Sequence, residues 1–111
     1  MGEKSLSASA YKWKIPVQSA IEECTMEKPV KSNELQVRFH IPGTTIRAIV
    51  HYLRTVEHIP IGSGSDGYFL ARSIGEIQHT VKQLKSRANE MSKAADGILE
   101  HYRKEEQLTL I

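Results

Sequence analysis

Nine apolar residues near the end of this chain fall alternately three and four positions apart: Ile74, Ile77, Val81, Leu84, Ala88, Met91, Ala95, Ile98 and Tyr102. A sustained heptad seam of this kind admits one local structure, a single long amphipathic helix, because a repeat near 3.5 keeps those side chains on one line. Ser73 with Glu76, three apart just ahead of the seam, is a capping-box pattern that sets its start. On a helix the seam would run about 40 Å at 1.5 Å per residue, longer than one small domain can cover. Left in water it would expose Ile77, Val81, Leu84, Ala88, Met91, Ala95, Ile98 and Tyr102 together. The expected partner is the same helix of a second chain, giving a homodimer. With Ile74 at position a, the e positions are Gln78, Lys85, Ser92 and Leu99, and the g positions are Thr80, Arg87, Ala94 and His101. They contain no acid, so no acid–base ladder specifies whether the pair is parallel or antiparallel. The dimerisation helix is expected over 72–105, with 106–111 a fraying tail.

The rest of the chain is short enough for one domain, since the whole has 111 residues. A hydrophobic fraction of 40%, a charged fraction of 25% and a net charge of +2 are those of an ordinary soluble protein. Cys24 is the single cysteine, which rules out an intrachain disulfide, and the five histidines show no zinc-ligand spacing. There is no apolar run near the ~20 residues that cross a bilayer. The first ten residues have no apolar stretch of the secretory kind and read as a disordered start. These features together lead to the expectation of a reduced, cytoplasmic protein without membrane attachment. No nucleophile–base pair, phosphate loop or carboxylate pair is recognisable, so neither catalysis, a metal nor a cofactor is expected.

Residues 11–71 read as one compact domain. In "YKWKIPVQSAIEEC", Pro16 suits a first helical turn, and Ile15, Val17, Ala20, Ile21 and Cys24 supply an apolar face. Pro29 breaks this helix. "KSNELQVRFHI" is the second, with Ser32 as N-cap, Glu34 at the positive end of the dipole, and Leu35 and Phe39 four apart. "IPG" stops it. "TTIRAIVHYLRTV", residues 44–56, is the third and the clearest: Ile46, Ile49, Val50 and Leu53 fall at i, i+3, i+4 and i+7. Its other face carries Thr44, Thr45, Arg47, Ala48, His51 and Arg54, and no acid occurs between Glu34 and Glu57. Then comes "IPIGSGSDGYFLA", 59–71: two apolar runs, "IPIG" and "GYFLA", around a glycine- and serine-rich turn, which read as a β-hairpin with Pro60 on an edge. Trp13, Tyr52, Tyr68 and Phe69 read as core residues, and Cys24 as a small buried hydrophobe.

Helix, helix, tight turn, amphipathic helix, glycine-rich hairpin is the element order of a winged helix-turn-helix. Over Ser32 to Leu70 the chain resembles the winged-helix domains of bacterial repressors of the biotin-repressor type. Leu35, Phe39, Ile41, Ile46, Val50 and Leu53 match the helix-turn-helix core, and "YLRTVEHIPIGSGSDGYFL" is similar to that family's strand, glycine turn and wing. The extension "GYFLARSIGEIQHTVKQLKSRA" resembles small phage and prophage proteins with such a domain. The fold class expected is therefore mainly α with a small β-hairpin: a winged helix-turn-helix followed by a long C-terminal helix with a heptad seam.

The resemblance implies double-stranded DNA as partner, read by helix 44–56 in the major groove with 59–71 as wing. Thr44, Thr45, Arg47, Ala48 and His51 would face the DNA, with Arg47 able to bond guanine O6 and N7 and Ala48 to touch a thymine methyl. Thr44 and Thr45, at the helix start, suit phosphate. Lys31, Arg38 and Arg54 would clamp the backbone, and Ser63, Gly64 and Ser65 would bring the wing tip to it. That tip holds no Arg or Lys, and Asp66 repels phosphate. Pro42-Gly43 stands where the family usually has a capping Ser or Thr. Three functions fit: a small phage or bacterial transcriptional regulator, a phage replication accessory protein binding origin DNA, and a winged-helix module that binds a protein instead.

Overall fold

A computed structural model describes residues 6–64 and 66–110, the side chains of 108–110 excepted. The described chain is mainly helical, with one two-stranded antiparallel hairpin and a long C-terminal helix. In order, the elements are α1 (Ala8–Tyr11), α2 (Lys14–Glu22), α3 (Ser32–Phe39), α4 (Gly43–Thr55), β1 (Ile61–Gly64), β2 (Gly67–Leu70) and α5 (Ile74–Leu110). Two compact units divide between Thr80 and Val81, so the first turns of α5 belong to the first unit. No helix among the described residues is long and apolar enough to cross a membrane.

The first unit is organised around α4. Ile46, Ile49, Val50 and Leu53, the stripe expected from spacing, are at most 2% exposed. They join Val17 and Ile21 of α2, Leu35 of α3, Ile61 of β1 and Ala10 of α1 in one core. Expectation and structure differ at the start. Residues 1–5 lie outside the described part, but the disorder expected through residue 10 gives way to α1, capped by the Ser7 hydroxyl on the Ala10 N–H at 3.2 Å. Ala10 is buried in the core, and that burial is what orders the segment.

The apolar face assigned to α2 is also corrected. Ile15 is 61% exposed, while Lys14 is 7% exposed. Lys14 occupies the i, i+3, i+7 line with Val17 and Ile21, and its ammonium is held by an ion pair with Glu57, just beyond α4. The Tyr11 ring lies 5.5 Å away and stacks edge-on with Tyr52 of α4. The hydrogen bond that Lys14 donates to Glu57 outweighs burial and holds the Lys14 pKa above its ordinary value of 10.5. A lysine so placed is tolerated inside only because its charge is matched.

Helix boundaries shift by a residue or two from expectation, as they do at frayed ends. Lys31, not Ser32, occupies the N-cap of α3, its N–H bonding to the Glu34 carboxylate at 2.9 Å. Ser32 instead accepts from Gln36 Nε2 at 3.2 Å. His40 ends the helix in the left-handed conformation, with φ 55°. In α5, the Glu76 N–H does bond to Ser73 Oγ at 3.1 Å, but the Glu76 carboxylate reaches back to the Arg72 N–H rather than to that of Ser73. The helix runs on through the expected tail to Leu110.

The hairpin shows why the segment 59–71 carries so much glycine. β1 pairs with β2 in the register Ile61↔Leu70, Gly62↔Phe69, Ser63↔Tyr68, Gly64↔Gly67. Pro60 precedes the strand rather than lying on its edge, and its carbonyl accepts from Ala71 N–H at 2.9 Å. Two glycines are required by close packing. The tip of the Phe69 ring lies against Gly62, where a Cβ would come within 2.3 Å of it. Gly67, with φ 129°, lets Val30 approach, and a Cβ there would meet the Val30 carbonyl oxygen at 2.3 Å. That approach makes a third-strand bridge, Val30 N–H to Tyr68 C=O at 2.9 Å and Tyr68 N–H to Val30 C=O at 2.7 Å. Arg72 completes the attachment: its guanidinium bonds the Leu70 carbonyl and the carbonyls of Glu22 and Cys24 at the end of α2.

Two predictions follow from these contacts. Gly67→Ala and Gly62→Ala should each lower unfolding free energy by about 1–3 kcal/mol through overpacking, while Gly64→Ala, which has open space, should stay within about 0.5 kcal/mol; urea denaturation measures all three. Lys14→Met should cost about 1.5–3 kcal/mol at neutral pH, the range for a hydrogen bond to a charged group. Because the folded Lys14 pKa is raised, its contribution is complete below pH 10.5 and is lost as pH rises through the folded value. The stability gap between wild type and variant should therefore hold up to pH 10.5 and narrow above it.

Candidate nucleic-acid interface

Burying Ile46, Ile49, Val50 and Leu53 turns the opposite side of α4 to solvent. Thr44, Arg47, Ala48 and His51, spaced i, i+3, i+4 and i+7, are all exposed there, and Thr45 is half-buried at the edge. Arg47 makes no hydrogen bond or ion pair among the described residues. Its guanidinium folds back over the start of the helix, where a Cβ at Gly43 would lie 3.3 Å from Arg47 Nη1. The same Cβ would lie 2.9 Å from Gln36 Nε2, so a side chain from α3 also reaches the head of α4. Gln36 was not singled out by the sequence pattern. Nothing in its local spacing signals it, because its position depends on the packing of α3 against α4.

No side chain caps α4. Pro42 is the N-cap, and its carbonyl accepts the N–H groups of Thr45 at 3.0 Å and Ile46 at 3.2 Å. The head of the helix thus keeps the positive end of its dipole without a protein acceptor from the cap. Lys31, at the α3 N-cap, and Arg38 on α3 are both exposed, seven residues apart, and Arg38 lies 5.5 Å over the ring of its neighbour Phe39.

Arg54 and Ser63 do not stand free as expected of a backbone clamp and a wing-tip contact. Arg54 Nε bonds the Ile61 carbonyl at 3.0 Å and its Nη2 the Ser63 hydroxyl at 3.0 Å. The guanidinium is half-buried and pins β1 to the last turns of α4, because the hairpin folds back beside the helix that precedes it. Arg54 is therefore a positioning residue, and Ser63 its acceptor. Gly64 is exposed, with open space where a Cβ would be, and Asp66, two residues on, is exposed; Ser65 lies outside the described residues. Among the expected core aromatics, Phe69 is buried and Trp13, Tyr52 and Tyr68 are half-buried, with Trp13 packed 5.8 Å from Phe39. Burial pushes the half-buried Cys24 thiol above its ordinary pKa, the opposite of an activated nucleophile.

Comparison with known proteins finds no match: no family model fits the chain, and no curated protein or solved structure is significantly similar to it. The functional reading therefore rests on the residues themselves.

Arg54→Ala should lower stability by about 1–2 kcal/mol and Ser63→Ala by about 0.5–1.5 kcal/mol, the usual worth of the bonds removed. Hydrogen exchange of the β1 and β2 amides should rise more than that of α2 in both variants. Equal protection in the hairpin and the helix would show that Arg54 does not hold the strand.

Proposed function

We propose that this protein binds duplex DNA through the outer face of α4, as a winged helix-turn-helix does, and acts as a small phage or bacterial transcriptional regulator in dimeric form. The observation that carries the reading is that α4 buries one stripe completely and offers the other, with Arg47 unpaired among the described residues and no acid between Glu34 and Glu57. The element order supports it too: α3 and α4 meet at Gln36 and Gly43, and a hairpin follows, bridged to Val30 just ahead of the α3 N-cap.

In this reading α4 enters the major groove. Arg47 bonds guanine, Ala48 meets a thymine methyl, and Gln36 is added as a side chain suited to adenine. The uncapped start of α4, with Thr44 beside it, suits a phosphate. Lys31 and Arg38 bind the backbone without reading sequence. Arg54 acts indirectly by holding β1, and the hairpin, with Asp66 at its tip, grazes the groove rather than gripping it. The exposed seam of α5 joins two copies, so that two half-sites are read together.

Titration of labelled duplex at several salt concentrations tests this. Log affinity should fall linearly with log salt, with a slope of about −0.9 per phosphate contacted. Arg47→Ala should weaken the preferred site by about 1–3 kcal/mol with little effect on random duplex, whereas Lys31→Ala should weaken both alike. Failure to bind any duplex at low salt would transfer the same surface to a protein partner.

A further inference from the structure

The α5 seam is largely open along the second unit: Val81 is 45% exposed, Met91 68%, Ile98 74% and Tyr102 60%, with Leu84 half-buried. We propose that it is covered by α5 of a second copy in antiparallel orientation, in the one register in which residues facing each other across the pair have numbers summing to 179. This rests on the dimeric part of the function proposed above and goes beyond it in direction and register.

Side-chain volume decides the direction. In a parallel, in-register pair each seam residue meets its own copy. Ala88 would face Ala88 and Ala95 would face Ala95, two thin layers, while Tyr102 would face Tyr102, one thick layer. Two helices at a near-constant separation cannot fill the first without a void or admit the second without strain. Reversing one helix in the stated register places Leu84 against Ala95, Ala88 against Met91, and Val81 against Ile98 of the other copy. Each alanine then meets a long side chain, as it does in any reversed register that sets a against d; shifting by one heptad either way leaves Tyr102 or Val81 without a seam partner, and the register summing to 179 leaves neither. Tyr102 comes opposite Ile77, which is half-buried in its own first unit. The contact runs from 77 to 102 on both helices, about 39 Å at 1.5 Å per residue, and its midpoint lies between Asn89 and Glu90.

The flanks offer no competing instruction. Positions e and g from Gln78 to His101 hold Lys85 and Arg87 but no acid, so no ladder of ion pairs pulls the helices parallel.

Disulfide trapping in the full chain tests the register. In a Cys24→Ala background, Val81→Cys and Ile98→Cys are made as two separate proteins, each checked for helix content and for sedimentation as a dimer. Under a mild thiol–disulfide buffer, neither alone should cross-link, because equal residues lie far apart at opposite ends of an antiparallel pair. Mixed and left to exchange subunits, they should give the heterodisulfide, identified by mass, since Cβ atoms near 4 Å can be bridged. Homodisulfides in the separate proteins would overturn the proposal in favour of a parallel pair. Dimers by sedimentation with no disulfide in any mixture would overturn the register. A wild-type chain that sediments as a monomer at high micromolar concentration would overturn the pairing itself, while the DNA titration reports independently on the α4 face.

Discussion

Ile46, Ile49, Val50 and Leu53 lose nearly all contact with water because α1, α2, α3 and β1 close over one side of α4. Most of what the first unit does follows from that burial. A stripe about 100° wide can be covered only if the neighbouring elements converge on it, and the remaining circumference of the helix is then left outside. Thr44, Arg47, Ala48 and His51 are exposed for the same reason that their neighbours are buried: they occupy the other part of a 3.6-residue turn. The exposed surface of α4 and the core that stabilises the fold are two faces of one helix.

The hairpin is held from three directions. Val30 bridges to Tyr68, Arg54 fixes Ile61 and Ser63 to α4, and Arg72 ties Leu70 to the end of α2. A two-stranded ribbon is marginal alone, so such anchors decide whether it has a fixed position. Glycine serves this anchoring at Gly62 and Gly67 by absence of a side chain, letting a ring and a backbone come close. Part of the glycine content of 59–71 thus serves tight packing rather than the turn.

α4 and α5 were legible because their signals are local and long. Periodicity over thirteen or more residues outweighs any single position, and both helices lie where spacing put them. The second half of α5 was legible as a helix with an unsatisfied stripe, which is why its partner can be argued from the stripe alone. The interchange of Ile15 and Lys14 was not legible. Two adjacent residues on a short helix differ by 100° of phase, and which one turns inward was settled by Glu57, 43 residues away. Counting apolar residues favoured Ile15, because it could not see a carboxylate waiting for an ammonium.

The candidate interface divides along the same line. Residue types and helical phase on α4 were set by the sequence itself, since a helix of known register has only one outer face. So was the weak cap at Pro42, because proline and glycine offer no side-chain acceptor. The tertiary structure alone decided that Gln36 joins Arg47 at the head of that helix, and that Arg54 and Ser63 are occupied with each other. It also decided which glycines are indispensable. The physical reason is range: backbone propensity and periodicity act within a few turns of chain, whereas ion pairing, close approach and capture of a side chain by a distant carbonyl exist only once the elements have met.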